Sequence, residues 1–145
     1  MSKNVSIGNV FRVLSDHRTE RLFIAIIQIN AAESHVLIAE LGLSRKQYYN
    51  RINNLLNAGL IRRHKGAYEL SSFGKVIFSL YKIAEKASGI YWKLEAIDNI
   101  KTEKSRLAEL DYLKIIDILL RDIEIKEFFL HESSRLNEEQ EYSRI

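Results

Sequence analysis

Apolar residues first recur at helical spacing in "HRTERLFIAIIQIN", where Leu22, Phe23, Ile26, Ile27 and Ile29 mark one buried face and Ser15 or Asp16 is placed to cap its start. A shorter helix follows in "SHVLIAELG". Val36, Leu37 and Leu41 point inward there, Ser34 is the expected N-cap, and Gly42 stands where a left-handed residue ends a helix. The third helix opens with a stronger signal. Ser44 and Gln47 in "LSRKQY" form an S-x-x-Q capping box, and Leu43 can meet Tyr48 as a hydrophobic staple. From about residue 45 to 58, Tyr48, Ile52, Leu55 and Leu56 set one face against a core. The opposite face carries Lys46, Asn50, Asn54 and Asn57, flanked by Gln47 and Asn53, and Gly59 ends the helix.

Helical spacing then stops. "LIRRHKGAYEL" predicts two short strands turning at Lys65-Gly66, because a tight turn needs positive φ and glycine supplies it. A two-residue loop fixes the register: Ile61 opposite Leu70, Arg62 opposite Glu69, Arg63 opposite Tyr68, His64 opposite Ala67. Beyond Ser72, the residues Phe73, Ile77, Leu80, Ala84, Ala87, Tyr91 and Leu94 alternate spacings of four and three, a coiled-coil-like seam. Unbroken to Ile100, that helix would be roughly 44 Å long. Gly89 is the one point at which it is expected to bend. Leu107, Leu110, Leu113, Ile116 and Leu120 mark another helix, "IEIKEFFL" adds a last apolar turn or two, and the tail "HESSRLNEEQEYSRI" has little to bury.

Composition supports a mainly helical reading: there is no proline and glycine occurs six times among 145 residues, so little interrupts a helix. The absence of cysteine removes disulfides, thiolate metal sites and cysteine nucleophiles. "MSKNVSIGNV" has no apolar stretch of signal-peptide length, and the longest apolar run, "LFIAII", falls far below the roughly 20 residues that a membrane span needs. A cytoplasmic protein without a membrane partner is the expectation.

Charge changes the picture most. The net charge of +3 hides an asymmetry: residues 44–65 carry six Lys or Arg and no Asp or Glu, while acidic residues are spread through the rest. A polyanion partner would need such a footprint. Amide side chains can hydrogen-bond an adenine edge in two places and Lys or Arg can address guanine, so the polar face of the third helix has the chemistry to read bases.

The order helix, helix, short turn, helix, hairpin, helix resembles the winged helix-turn-helix transcription regulators of the ArsR and MarR type, especially short archaeal members. The resemblance rests on "LSDHRTERLFIAII" as first helix, "LIAELGLSRKQYYNRINNLLNAGLI" as helix-turn-helix, and "RRHKGAYELSSFGK" as wing and following helix, about residues 11–84. It implies a mainly α fold with a small β-hairpin wing and long C-terminal helices. The expected layout is a DNA-binding domain over 1–71, a helical dimerisation region over 72–130 and a polar tail over 131–145. It also implies a double-stranded DNA partner, with the third helix in the major groove, the wing on the backbone, and helices outside the motif forming a two-fold dimer.

Carried over by position, the DNA-facing candidates are Ser44, Arg45, Lys46, Gln47, Tyr49, Asn50 and Asn54 on the helix and Arg63, His64 and Lys65 on the wing. Asn50 and Lys46 rank above Gln47, whose amide is committed to the capping box, and Arg62 is set aside because Glu69 opposes it. Dimer candidates are Leu80, Ala84, Ala87, Tyr91, Trp92, Leu94 and Ile97. Metal-sensing members use cysteine or clustered histidine. This chain departs from them, with no cysteine and scattered His17, His35, His64 and His131, so no metal or other cofactor is expected and any effector is unassigned. Catalytic motifs are missing too: "FGKVIF" lacks the glycine spacing of a phosphate loop and no H-E-x-x-H occurs, so an enzyme is not expected. The alternative is a winged-helix module binding another protein of a transcription or chromosome assembly, since fold does not fix function.

Overall fold

The computed structural model of the protein describes residues 3–29, 33–102 and 109–131. In chain order these form α1 (Ile7–Leu14), α2 (His17–Gln28), α3 (Ser34–Leu41), α4 (Arg45–Asn57), β1 (Ile61–His64), β2 (Ala67–Leu70), α5 (Ser72–Gly89), α6 (Tyr91–Thr102) and α7 (Glu109–Leu119). A further helix, α8, spans 123–131. The architecture is mainly α-helical with one antiparallel hairpin and added C-terminal helices, a winged-helix-like topology. The chain divides into two compact units between Ser79 and Leu80, and α5 crosses that division.

In the first unit α2 is the hub, packing against α1, α3, α4 and β2. Its Leu22 and Phe23 lie fully inside with Tyr48, Ile52 and Leu55 of α4 and Leu60 and Ile61 at the start of the hairpin. Between the two capping residues that the sequence allowed, the structure uses Asp16, whose carboxylate accepts from the Thr19 amide at 3.0 Å and the Thr19 hydroxyl at 2.6 Å. Those bonds, the Thr19 hydroxyl first among the causes, hold the Asp16 carboxyl below its ordinary value.

Helix α1 is an element that the sequence reading missed, although a signal was present: Ser6 precedes apolar residues at 7, 10, 11 and 14, and it caps the helix by accepting from the Asn9 amide at 3.1 Å. Only half of that stripe packs inward: Val10 is buried and Leu14 packs on the core, joined by Asn9 and Val13, whereas Ile7 and Phe11 are exposed. Asn9 sets the rotation, since its Nδ2 donates to the Asn4 carbonyl at 2.9 Å and its Oδ1 accepts from Arg12 Nη2 at 2.7 Å.

Helix α3 starts differently from the expectation. Its N-cap is Glu33, which makes no side-chain cap bond, and Ser34 is instead the acceptor for the Tyr48 hydroxyl at 3.1 Å. Leu37 is buried as expected, whereas Val36 is exposed. Gly42, in the left-handed region, ends the helix. Helix α4 closes with Ala58 as C-cap and paired bonds from Gly59 N to the Leu56 carbonyl at 3.1 Å and from Leu60 N to the Leu55 carbonyl at 3.0 Å, a Schellman motif.

The hairpin has the predicted register at all four pairs. Lys65 (φ 48°) and Gly66 (φ 81°) both take positive φ, the signature of a two-residue type I′ turn. The strand exit is locked to α5 through Ser71, whose amide donates to the Leu60 carbonyl at 3.1 Å and whose hydroxyl donates to the Gly59 carbonyl while accepting from the Gly74 amide at 2.8 Å. This junction explains Gly74: a Cβ there would lie 1.9 Å from the Leu60 carbonyl oxygen.

The long helix does break where a bend was expected, α5 ending at Gly89 and α6 starting at Tyr91. Its regular seam is shared out accordingly. Phe73 and Ile77 belong to the first core; Ala87 and Leu94 pack on a second core made of Ile97, Tyr112, Ile116, Leu120 and Ile125. Ile97 is therefore corrected as a dimer residue: it is fully buried by the chain's own helices and has no surface to offer. Leu110, expected inward, is exposed. Asp122 caps α8 by accepting from the Glu124 amide at 3.0 Å, and Lys86 Nζ lies 3.1 Å from its other oxygen. Leu107 and the tail beyond His131 lie outside the described residues. Among those described, no helix is long and apolar enough to cross a membrane.

Candidate nucleic-acid interface

The first unit displays the acid-free segment as a helix face and a hairpin tip. Helix α4 is amphipathic because Tyr48, Ile52 and Leu55 are buried, which turns Arg45, Lys46, Asn50, Asn53, Asn54 and Asn57 outward. Burial raises the Tyr48 hydroxyl above its ordinary value, and the hydroxyl stays a neutral donor to Ser34. That bond ties the first turn of α3 to α4 and so fixes the angle at which the amide face is shown.

The capping box is complete. Gln47 N donates to Ser44 Oγ at 3.2 Å, and Ser44 N donates to Gln47 Oε1 at 3.1 Å. The Ser44 hydroxyl oxygen and the Gln47 amide oxygen are thus both engaged, which leaves Lys46, Asn50 and Asn54 freer than Gln47 to meet a base. Tyr49 is 41% exposed and packs edge-on against Tyr48, with ring centroids 5.0 Å apart. Its ring is positioned by the core and still open on one side.

Arg51 is drawn out of the basic set. Its Nε lies 3.3 Å from Asp16 Oδ2, Nη1 donates to the Gln47 carbonyl at 3.1 Å, and the side chain is only 17% exposed. It braces α4 against the cap of α2. Arg62 pairs with Glu69 at 2.6 Å, as the cross-strand register predicted. The exposed cations left without an acidic partner among the described residues are Arg45 and Lys46 on the helix and Arg63 and Lys65 on the wing. Exposed His64 stands beside them.

The structure also gathers residues that the sequence reading did not connect. Arg45, His64 and Lys65 line one cleft with Glu33 and His35 from the start of α3 and with Tyr68 of β2. No sequence signal joins Glu33 or His35 to the wing, because about thirty residues separate them and only the folded chain brings them to one cleft. Among the described residues no three His, Asp or Glu side chains cluster in a way that could hold a metal ion.

Of the dimer candidates, Leu80, Ala84, Tyr91 and Trp92 are exposed; Ala87 and Leu94 are half-buried within the second unit. Lys93 Nζ sits 5.5 Å from the Trp92 ring centroid, a cation–π contact at the surface.

No curated protein and no solved structure matches the chain. Residues 27–88 match the model of a family described as an archaeal family. That stretch runs from the end of α2 through the helix-turn-helix, the hairpin and nearly all of α5, so what the chain shares with that family is a small helical domain carrying a β-hairpin wing.

Proposed function

We propose that the protein is a sequence-specific, double-stranded DNA-binding transcription regulator that acts as a homodimer, with α4 in the major groove and the hairpin on the backbone. The observation that carries this reading is the segregation of charge: every cation of residues 44–65 with an acidic partner faces the protein or its own strand pair, and the four without one share the exposed face of α4 and the wing. Neutralising phosphates releases counterions and gives affinity without sequence information. Lys46, Asn50 and Asn54 supply the base-reading chemistry, suited to a site containing A·T pairs. Exposed Leu80, Tyr91 and Trp92 support self-association, and a two-fold dimer would set its α4 helices about 34 Å apart on a roughly palindromic site.

The test is fluorescence anisotropy of labelled mixed-sequence duplexes across a salt series. Log affinity should fall linearly with log salt, with a slope reflecting about three or more phosphate contacts per bound chain. Absence of binding at low salt would overturn the reading and leave the same fold as a protein-interaction module.

A further inference from the structure

The cleft beneath the wing, about 540 Å³ in volume, is lined by Arg45, His64 and Lys65 on one hand and by Glu33, His35 and Tyr68 on the other. The two carboxylates on its wall are engaged to different degrees. Glu69 pairs with Arg62 at 2.6 Å, whereas Glu33 Oε2 lies 3.2 Å from His35 Nδ1, a charge pair only when that imidazole carries a proton. Arg45 and Lys65 have no acidic partner among the described residues, so two full positive charges line a concave site on which Glu33 is the one carboxylate without a permanent countercharge. The geometry points to a phosphoryl-binding site: we propose that this cleft takes a phosphate ester of nucleotide size.

Three features favour that ligand class over a simple anion. Guanidinium and ammonium together suit a doubly charged phosphoryl group, the first through its planar fork and the second as a point charge. The volume lies within the range of small-molecule pockets and far exceeds what one inorganic anion fills. The half-buried Tyr68 ring adds an aromatic wall against which a flat apolar group can lie. At the start of α3, Glu33 makes no side-chain cap bond, so the first-turn amides next to the cleft are not capped by that residue.

A phosphoryl group could arrive on a free nucleotide or on a nucleic-acid backbone. The site shares Arg45, His64 and Lys65 with the proposed DNA interface and does not depend on it. The test is ¹H–¹⁵N NMR of the full chain, titrated separately with ATP and with a mixed-sequence duplex at low ionic strength. Saturable shifts are expected at the amides of Ser34, Gly66, Ala67 and Tyr68. The double variant Arg45→Gln, Lys65→Asn should weaken ATP binding about tenfold or more. Asparagine is chosen because it tolerates the positive φ at position 65. Lys75→Gln, an exposed cation of α5 outside the cleft, should leave ATP binding unchanged.

Shifts at these amides with duplex but not with ATP would overturn the nucleotide site, because the proposed DNA interface already sets the wing against the backbone. Shifts with ATP but not with duplex would support it with a free ligand, and the DNA reading would fail by itself. The inference is likewise overturned if neither ligand moves these amides, or if the double variant binds ATP as well as the parent protein.

Discussion

Arg51 Nε lies 3.3 Å from Asp16 Oδ2, so the helix that displays the amide face is tied to the carboxylate that caps α2. One carboxylate serves two tasks: it starts one helix and braces its neighbour. Because Asp16 is held below its ordinary value of 3.8, its contribution to stability is fully present above that value and is lost as pH falls through the folded one. Asp16→Asn, which keeps a capping oxygen and removes the charge, should flatten the acid limb of thermal stability below about pH 4. Asp16→Ala should cost about 1 kcal/mol at neutral pH. Thermal melts from pH 3 to 7 check both.

Gly74→Ala should be severely destabilising, by about 2 kcal/mol or more, because the new methyl would meet the Leu60 carbonyl oxygen, which is backbone held by the Ser71 amide. Ser71→Ala removes an N-cap and a donor to the Gly59 carbonyl together and should cost about 1–2 kcal/mol. Urea denaturation of the two variants tests whether the junction between wing and α5 has this weight.

Lys65 occupies the left-handed region at φ 48°, a conformation that costs a residue with a Cβ roughly 1 kcal/mol. Lys65→Gly should therefore raise stability by a few tenths to about 1 kcal/mol while weakening every duplex alike and lowering the salt slope by about one. An unchanged slope would remove Lys65 from the phosphate contacts.

Asn50→Ala should act in the opposite sense, relaxing sequence preference by about 1–3 kcal/mol against the best site with little change in salt slope. Competition anisotropy on a selected site and its single-base variants measures it. Equal loss on all sequences would end the base-reading assignment.

Ile97→Ala should destabilise the second unit by about 2–4 kcal/mol, since that side chain fills the centre of its core. Tyr91→Ser with Trp92→Ser should leave folding nearly unchanged and abolish self-association in sedimentation velocity, because both rings are exposed. A monomeric parent protein would remove the dimer from the proposal.

These outcomes separate what the sequence made legible from what it did not. The hairpin register was readable because a two-residue turn leaves one alignment of its strands, and the capping box because its partners are three residues apart. Such rules are local, and locality is what one sequence records. The stripe of α1 was visible but only half of it is core, since Val10 and Leu14 pack inward while Ile7 and Phe11 do not. The seam from Phe73 to Leu94 had the spacing of a single long interface, yet its start packs on one core, Ala87 and Leu94 pack on another, and Leu80, Ala84 and Tyr91 are exposed, because period alone cannot say which residues find a partner within the chain. The same holds for Arg51, which reads as one more cation until Asp16 is found beside it, and for the cleft, whose walls are distant in sequence.

The closed capping box at the start of α4 has a kinetic consequence. Ser44 and Gln47 complete the helix terminus from within, so a docking partner need not supply hydrogen bonds to order it. Association should then proceed as an encounter of preformed surfaces, its rate set by diffusion, orientation and ionic strength, without a slow unimolecular phase from this helix. The accompanying heat-capacity change should reflect only the surface buried at contact, with no added contribution from helix formation.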